Sequence, residues 1–135
     1  MTFYIDASVP VAVRRAVAAL RTDVRYAGGP GAPEESARDV KWLPIAGQER
    51  WIVVKRDKKI RTRPGERKAL IDAGLRTFCL TGAGNYTRWE IMRLLAVRWP
   101  RIEAIATENP GPYVYGVTWA GVRRLPLAGV NPPPN

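Results

Sequence analysis

The chain has 135 residues, 46% of them apolar, which is enough for one core and too few for two full domains. Twenty-two basic residues face twelve acidic ones, a formal charge of +10, and that balance favours a polyanionic partner, nucleic acid above all. No histidine is present, so imidazole acid–base chemistry and histidine-containing triads are excluded; the single cysteine rules out disulfides and thiolate zinc sites. Neither an 18-residue apolar run nor a signal peptide is evident, so the expectation is a cytoplasmic protein away from membranes.

In chain order, Phe3-Tyr4-Ile5 is a short apolar run ended by Asp6. Val9, Val13, Ala16, Val17 and Leu20 then recur at helical spacing, with Pro10 tolerated in the first turn. Residues 23–26 suggest a brief second strand, and the glycines and prolines of 28–33 a loop. From Glu34 the chain is helix-like, with Asp39 near the end of a turn and Pro44 preventing one uninterrupted helix. Residues 51–54 form a β-branched run suited to a strand buried on both faces. Pro64 fits the first position of a helix ending at Gly74, and residues 76–80 the next strand, which buries Cys79.

Beyond the glycine-containing loop 81–85, Thr87 and Glu90 have the spacing of a capping box. It opens a helix with Trp89, Met92, Leu95 and Trp99 along one stripe, which Pro100 interrupts or ends. Alternation through 113–119 and a turn at Ala120-Gly121 predict a hairpin running to Leu125, followed by a mobile proline-rich tail at 126–135. Strands alternating with helices give an α/β domain over residues 3–125 with a mostly parallel sheet and a C-terminal β-hairpin.

In such sheets ligands sit beyond the carboxyl ends of the strands, so Asp6, Asp57 and the 81–85 loop are the residues to inspect, with Asp39 a third carboxylate from the helical region between them. Carboxylates gathered there can hold Mg²⁺ or Mn²⁺, which polarises a phosphodiester and lowers the pKa of water without any histidine. Each has a plainer role open to it: Asp6 as a helix cap in competition with Ser8, Asp57 as a turn residue, Asp39 as a solvated helix start. Glu90 is explained by the capping box and Asn85 by a glycine-rich turn, though either could complete a metal shell. Residues 55–68 carry eight basic side chains against two acidic ones, and Lys55, Arg56, Lys58, Lys59, Arg61 and Arg63 are the candidates to grip a phosphate backbone. Core packing is the better reading for most of the five tryptophans.

Phe3-Tyr4-Ile5-Asp6, Asp39-Val40-Lys41-Trp42-Leu43, the run from Val53 through Arg56-Asp57-Lys58-Lys59 to Ile60, and Leu80-Thr81 with Asn85-Tyr86-Thr87 together resemble the PIN-like domains of VapC-type toxins. That resemblance implies an α/β/α sandwich, a Mg²⁺- or Mn²⁺-dependent endoribonuclease with Asp6, Asp39 and Asp57 as its metal-binding acids, inhibition by a cognate antitoxin, and a homodimer. Ala7 and Lys59 stand where related members often carry further acids, so a four-acid site is not evident; the resemblance then implies one metal, its shell completed by Asn85 or Glu90. The rival readings are a noncatalytic basic nucleic-acid-binding module, a degenerate PIN-like subunit and a regulatory partner protein.

Overall fold

The computed structural model describes residues 1–35, 39–56, 69–70 and 72–125, with backbone alone at residues 39 and 40. Six strands form one sheet in the order β2-β1-β3-β4-β5-β6. They are β1 (Phe3–Ile5), β2 (Val24–Tyr26), β3 (Ile52–Lys55), β4 (Arg76–Leu80), β5 (Tyr113–Thr118) and β6 (Gly121–Leu125). Every pairing is parallel except that of β5 with β6, the expected hairpin.

Strand side chains alternate between two apolar cores, one on each face of the sheet. Phe3, Ile5, Ile52, Val54, Phe78 and Leu80 point to the face covered by α1 (Val11–Leu20) and α3 (Arg88–Glu108). Tyr4, Val53 and Cys79 point to the other, where Trp42, Leu43 and Ala46 of α2 (Asp39–Gln48) and Leu70 lie. The result is the expected three-layer α/β/α arrangement, with Cys79 buried.

Both interior prolines sit within helices rather than breaking them: Pro44 lies inside α2 and Pro100 inside the 21-residue α3. Each is solvent-facing, so the carbonyl it leaves unbonded four residues earlier lies on the outer side, where water can reach it. Burial of Trp42, Leu43 and Ala46, and of Trp99, Ile102 and Ile105, offsets the lost hydrogen bond. Two apolar-stripe assignments also change. Leu20 is 82% exposed, the buried face of α1 being Val13, Arg14 and Val17. Trp89 is 71% exposed, because α3 buries Ile91, Leu94, Leu95 and Trp99 instead. Among the described residues no helix is long and apolar enough to cross a membrane. The expected helix start at Pro64 and the tail at 126–135 fall outside the described residues.

Candidate active site at the carboxyl edge of the sheet

β1 and β3 are parallel neighbours with Ile5 opposite Val54, so Asp6 and Lys55 come level where the two strands end. The Asp6 backbone N–H donates to the Val54 carbonyl at 2.9 Å, extending the ladder one step past the strand. The Asp6 side chain is nearly buried, and a carboxylate removed from water needs donors or cations close by. Its Oδ2 receives three. The Ser8 N–H donates at 3.1 Å, the Ser8 hydroxyl at 2.6 Å, and the Lys55 ammonium stands 4.0 Å away. All these contacts converge on Oδ2; among the described residues none donates to Oδ1.

The Ser8 hydroxyl also accepts the Arg56 N–H at 2.9 Å, so a relay runs from the end of β3 through Ser8 to Asp6. Polarisation along the relay strengthens the hold on the carboxylate. Asp6 is therefore no helix cap: the residue preceding α1 is Pro10, which makes no side-chain cap bond, and Ser8 is turned towards Asp6.

Lys55 is buried as well, its ammonium 5.4 Å from the centre of the Trp42 ring. The sequence places it in a surface charge run, whereas in the fold its charge is directed at the carboxylate. Arg56 reaches across the edge and donates to the Gly84 carbonyl at 3.1 Å, tying the loop after β4 to the end of β3. Ala83 is fully buried, which anchors that loop from below, while Asn85 is exposed. Glu90 makes both halves of the capping box: its carboxylate accepts from the Thr87 N–H at 3.1 Å and its own N–H donates to the Thr87 hydroxyl at 3.1 Å. Asp39 opens α2 one turn before Trp42, the residue that lies over Lys55. Asp57, Lys58, Lys59, Arg61 and Arg63 lie outside the described residues, and so does the side chain of Asp39. No cluster of three metal-ligating carboxylate or thiol side chains occurs among the described residues.

Arg14 organises the same edge from below. Although it belongs to the apolar face of α1, it donates to the Val9 carbonyl at 2.7 Å, to the Ala27 carbonyl at 2.7 Å and to the Glu35 carboxylate at 2.6 Å. One buried guanidinium thus joins the segments that follow β1 and β2. Sequence reading overlooked both this role and that of Ser8. The available signals were the Asp-x-Ser spacing typical of side-chain turns, and one arginine set among the valines of α1.

A buried carboxylate presented at the carboxyl ends of parallel strands, between two helical layers, defines an α/β/α protein with an acidic strand-end site. A family model described as PIN like domain matches residues 1–82, and the chain belongs to that PIN-like domain family. It is also 32% identical over 85 residues to a Mycobacterium tuberculosis protein named "Putative ribonuclease VapC45". The aligned region is 62% of this chain and 59% of that relative, so the chain spans less than two thirds of the relative's length. No solved structure matches.

Proposed function

We propose that this chain is a metal-dependent endoribonuclease, the toxin component of a toxin–antitoxin pair, with Asp6, Asp39 and Asp57 holding Mg²⁺ or Mn²⁺. The observation that carries the reading is the nearly buried Asp6 carboxylate, fixed through Oδ2 by Ser8 and Lys55 and leaving Oδ1 without a described donor. A hard oxygen donor of this kind suits either ion. Membership of the PIN-like family and the ribonuclease named among its relatives support it further. Asp57 follows Arg56, whose N–H already bonds Ser8 beside Asp6, and Asp39 opens α2 one turn before the Trp42 that covers Lys55.

When bound, the ion would supply Lewis-acid activation of the phosphodiester. The chain's own residues do the rest. Ser8 and the Arg56 N–H keep the Asp6 carboxylate oriented, and Arg56 holds the loop at Gly84 against the site. Lys55 places a positive charge inside the site, while Arg56, Lys58, Lys59, Arg61 and Arg63 hold the phosphate backbone. Asn85, exposed in the loop after β4, or Glu90 would complete the shell, Glu90 only by leaving its cap. The same reading makes RNA the substrate, a cognate antitoxin the inhibitor, a second copy the dimer partner and the cytoplasm the compartment.

One observation favours a second reading, a noncatalytic or degenerate module that binds nucleic acid: an ammonium 4.0 Å from Asp6 partly neutralises it without any metal. The two part company when purified protein is given pooled cellular RNA with Mn²⁺ or Mg²⁺, with EDTA, and as the Asp6→Asn variant. Discrete products that require the metal, and that form at least about a hundredfold more slowly in Asp6→Asn, are expected of the nuclease. RNA that stays intact while binding the protein would establish the noncatalytic module.

A further inference from the structure

α3 begins just after the loop that follows β4, and the β5–β6 turn follows β5, so the first turn of α3 and that hairpin turn share the carboxyl edge with Asp6. Both carry an exposed tryptophan: Trp89, the second residue of α3, is 71% exposed, and Trp119, in the turn, 36%. Arg93 relates to both. It stands four residues after Trp89, hence on the same helix face, and its guanidinium lies 5.4 Å from the centre of the Trp119 ring. Arg98 donates to the Thr118 carbonyl at 3.0 Å and to the Trp119 carbonyl, fixing the turn against α3 before any ligand arrives.

A single exposed apolar side chain needs no explanation, but here one indole carries an arginine on its face and that arginine shares a helix face with a second exposed indole. Tryptophan and arginine together present flat π faces and positive charge, the combination that holds unpaired bases and their phosphates. The nearby acid, Glu90, is engaged by the Thr87 N–H, and the chain as a whole is at +10. β1 and β5 are separated by β3 and β4, which puts the patch roughly 15 Å along the edge from Asp6 at the usual strand spacing. It also lies outside residues 1–82, the part that matches the family model.

We propose that Trp89, Arg93 and Trp119 form a stacking platform for the unpaired bases of a single-stranded RNA that extends from the Asp6 site. The proposal rests on the nuclease reading for its choice of ligand. Stacking requires exposed base faces, so a duplex, whose bases are already stacked, gains nothing from the platform.

The test is fluorescence anisotropy of the 135-residue chain in EDTA, where metal-dependent cleavage cannot consume the probe. The probes are an end-labelled oligoribonucleotide of mixed sequence, the same backbone with abasic sites throughout, and the blunt duplex. Trp89→Ala and Trp119→Ala are each expected to weaken single-strand binding about tenfold, and Trp→Phe at either position to retain most of it. Binding of the abasic strand and of the duplex should not change. Parent-like affinity of both alanine variants for the single strand would overturn the proposal, as would an equal loss on the abasic strand. Parent-like affinity combined with loss of self-association in sedimentation velocity would reassign the patch to protein contact and overturn it likewise. Cleavage by the parent protein is scored separately with metal present. Base-dependent binding lost in the alanine variants without any cleavage keeps the platform and removes the nuclease, and cleavage with no alanine effect on binding does the reverse.

Discussion

The two ends of the central sheet bury charge in different ways. At the amino end Arg76, Arg21 and Asp23 are absorbed by the fold. Arg76 donates to the Ala106 carbonyl at 3.1 Å and the Arg50 carbonyl at 2.8 Å, and burial lowers its pKa from the ordinary arginine value. Arg21 forks onto Asp23 with two contacts of 2.9 Å and also reaches Glu103. Burial raises the pKa of the Tyr113 phenol there, keeping it neutral. At the carboxyl end the same chemistry orders loops around a carboxylate that keeps one oxygen without a described donor: Ser8, Lys55 and Arg56 hold Asp6 and the 81–86 loop, and Arg14 holds the chain beyond β1 and β2. Charge closes the structure at one end and positions the Asp6 carboxylate at the other.

Removing one arginine from each end gives the largest effects and tests that division directly. Arg14→Met strips charged donors from the Val9 and Ala27 carbonyls in a buried setting, with an expected loss of about 3 kcal/mol in urea unfolding. Because those carbonyls belong to the segments behind the site, metal-stimulated RNA cleavage should fall in the same variant at temperatures where it is fully folded. Arg76→Met also removes two carbonyl contacts, one part-buried and one exposed, and should cost about 1–2 kcal/mol with cleavage per folded molecule unchanged. Equal effects of the two variants on cleavage would mean that the ends are not functionally distinct.

How much of this was legible in the sequence depended on whether the signal was local. The apolar runs at 3–5, 51–54 and 78–80 mark the strands found at 3–5, 52–55 and 76–80, and the capping box of Thr87 and Glu90 is complete within four residues. Pro44 and Pro100 were misleading because local propensity registers the cost of proline but not the apolar face that the helix buries opposite it. Lys55 reads as surface charge from its neighbours in the chain; only the pairing of β3 with β1 brings it level with Asp6. Arg14 likewise finds its acceptors 5, 13 and 21 residues away, separations that no periodicity encodes.

Glu90 offers a smaller and sharper test, because it is an acid at the carboxyl end that the structure assigns to the helix rather than to the site. Thr87→Ala removes the cap and is expected to cost about 1 kcal/mol in thermal or urea unfolding. Glu90→Gln keeps an acceptor for the Thr87 N–H and should leave both stability and metal-stimulated cleavage within about twofold of the parent, since a Gln completes a capping box as well as a Glu does. Loss of cleavage in Glu90→Gln with stability intact would move Glu90 from the cap to the metal shell.

The smallest effect expected belongs to the amino end and is a matter of pH. The hydrogen bonds from Arg21, reinforced by its charge and opposed by partial burial, hold the Asp23 carboxyl below its usual value. A carboxyl whose pKa is lower folded than unfolded binds more protons in the unfolded chain as acid is added. Its contribution is therefore fully present above the unfolded value, near pH 4, and disappears as pH falls through the folded value. With Arg21 and Asp23 each about one third exposed, solvent screening keeps the contribution below about 1 kcal/mol. Asp23→Asn should thus be slightly less stable than the parent in urea unfolding at pH 5–7, and the gap should narrow as pH falls below about 4. Cleavage should not change, because the pair belongs to the end of the sheet where charge is absorbed. A deficit that does not shrink at all as the pH is lowered through the acid range would show that Asp23 acts through packing or neutral hydrogen bonds, and that the amino end does not use its charges as the comparison requires.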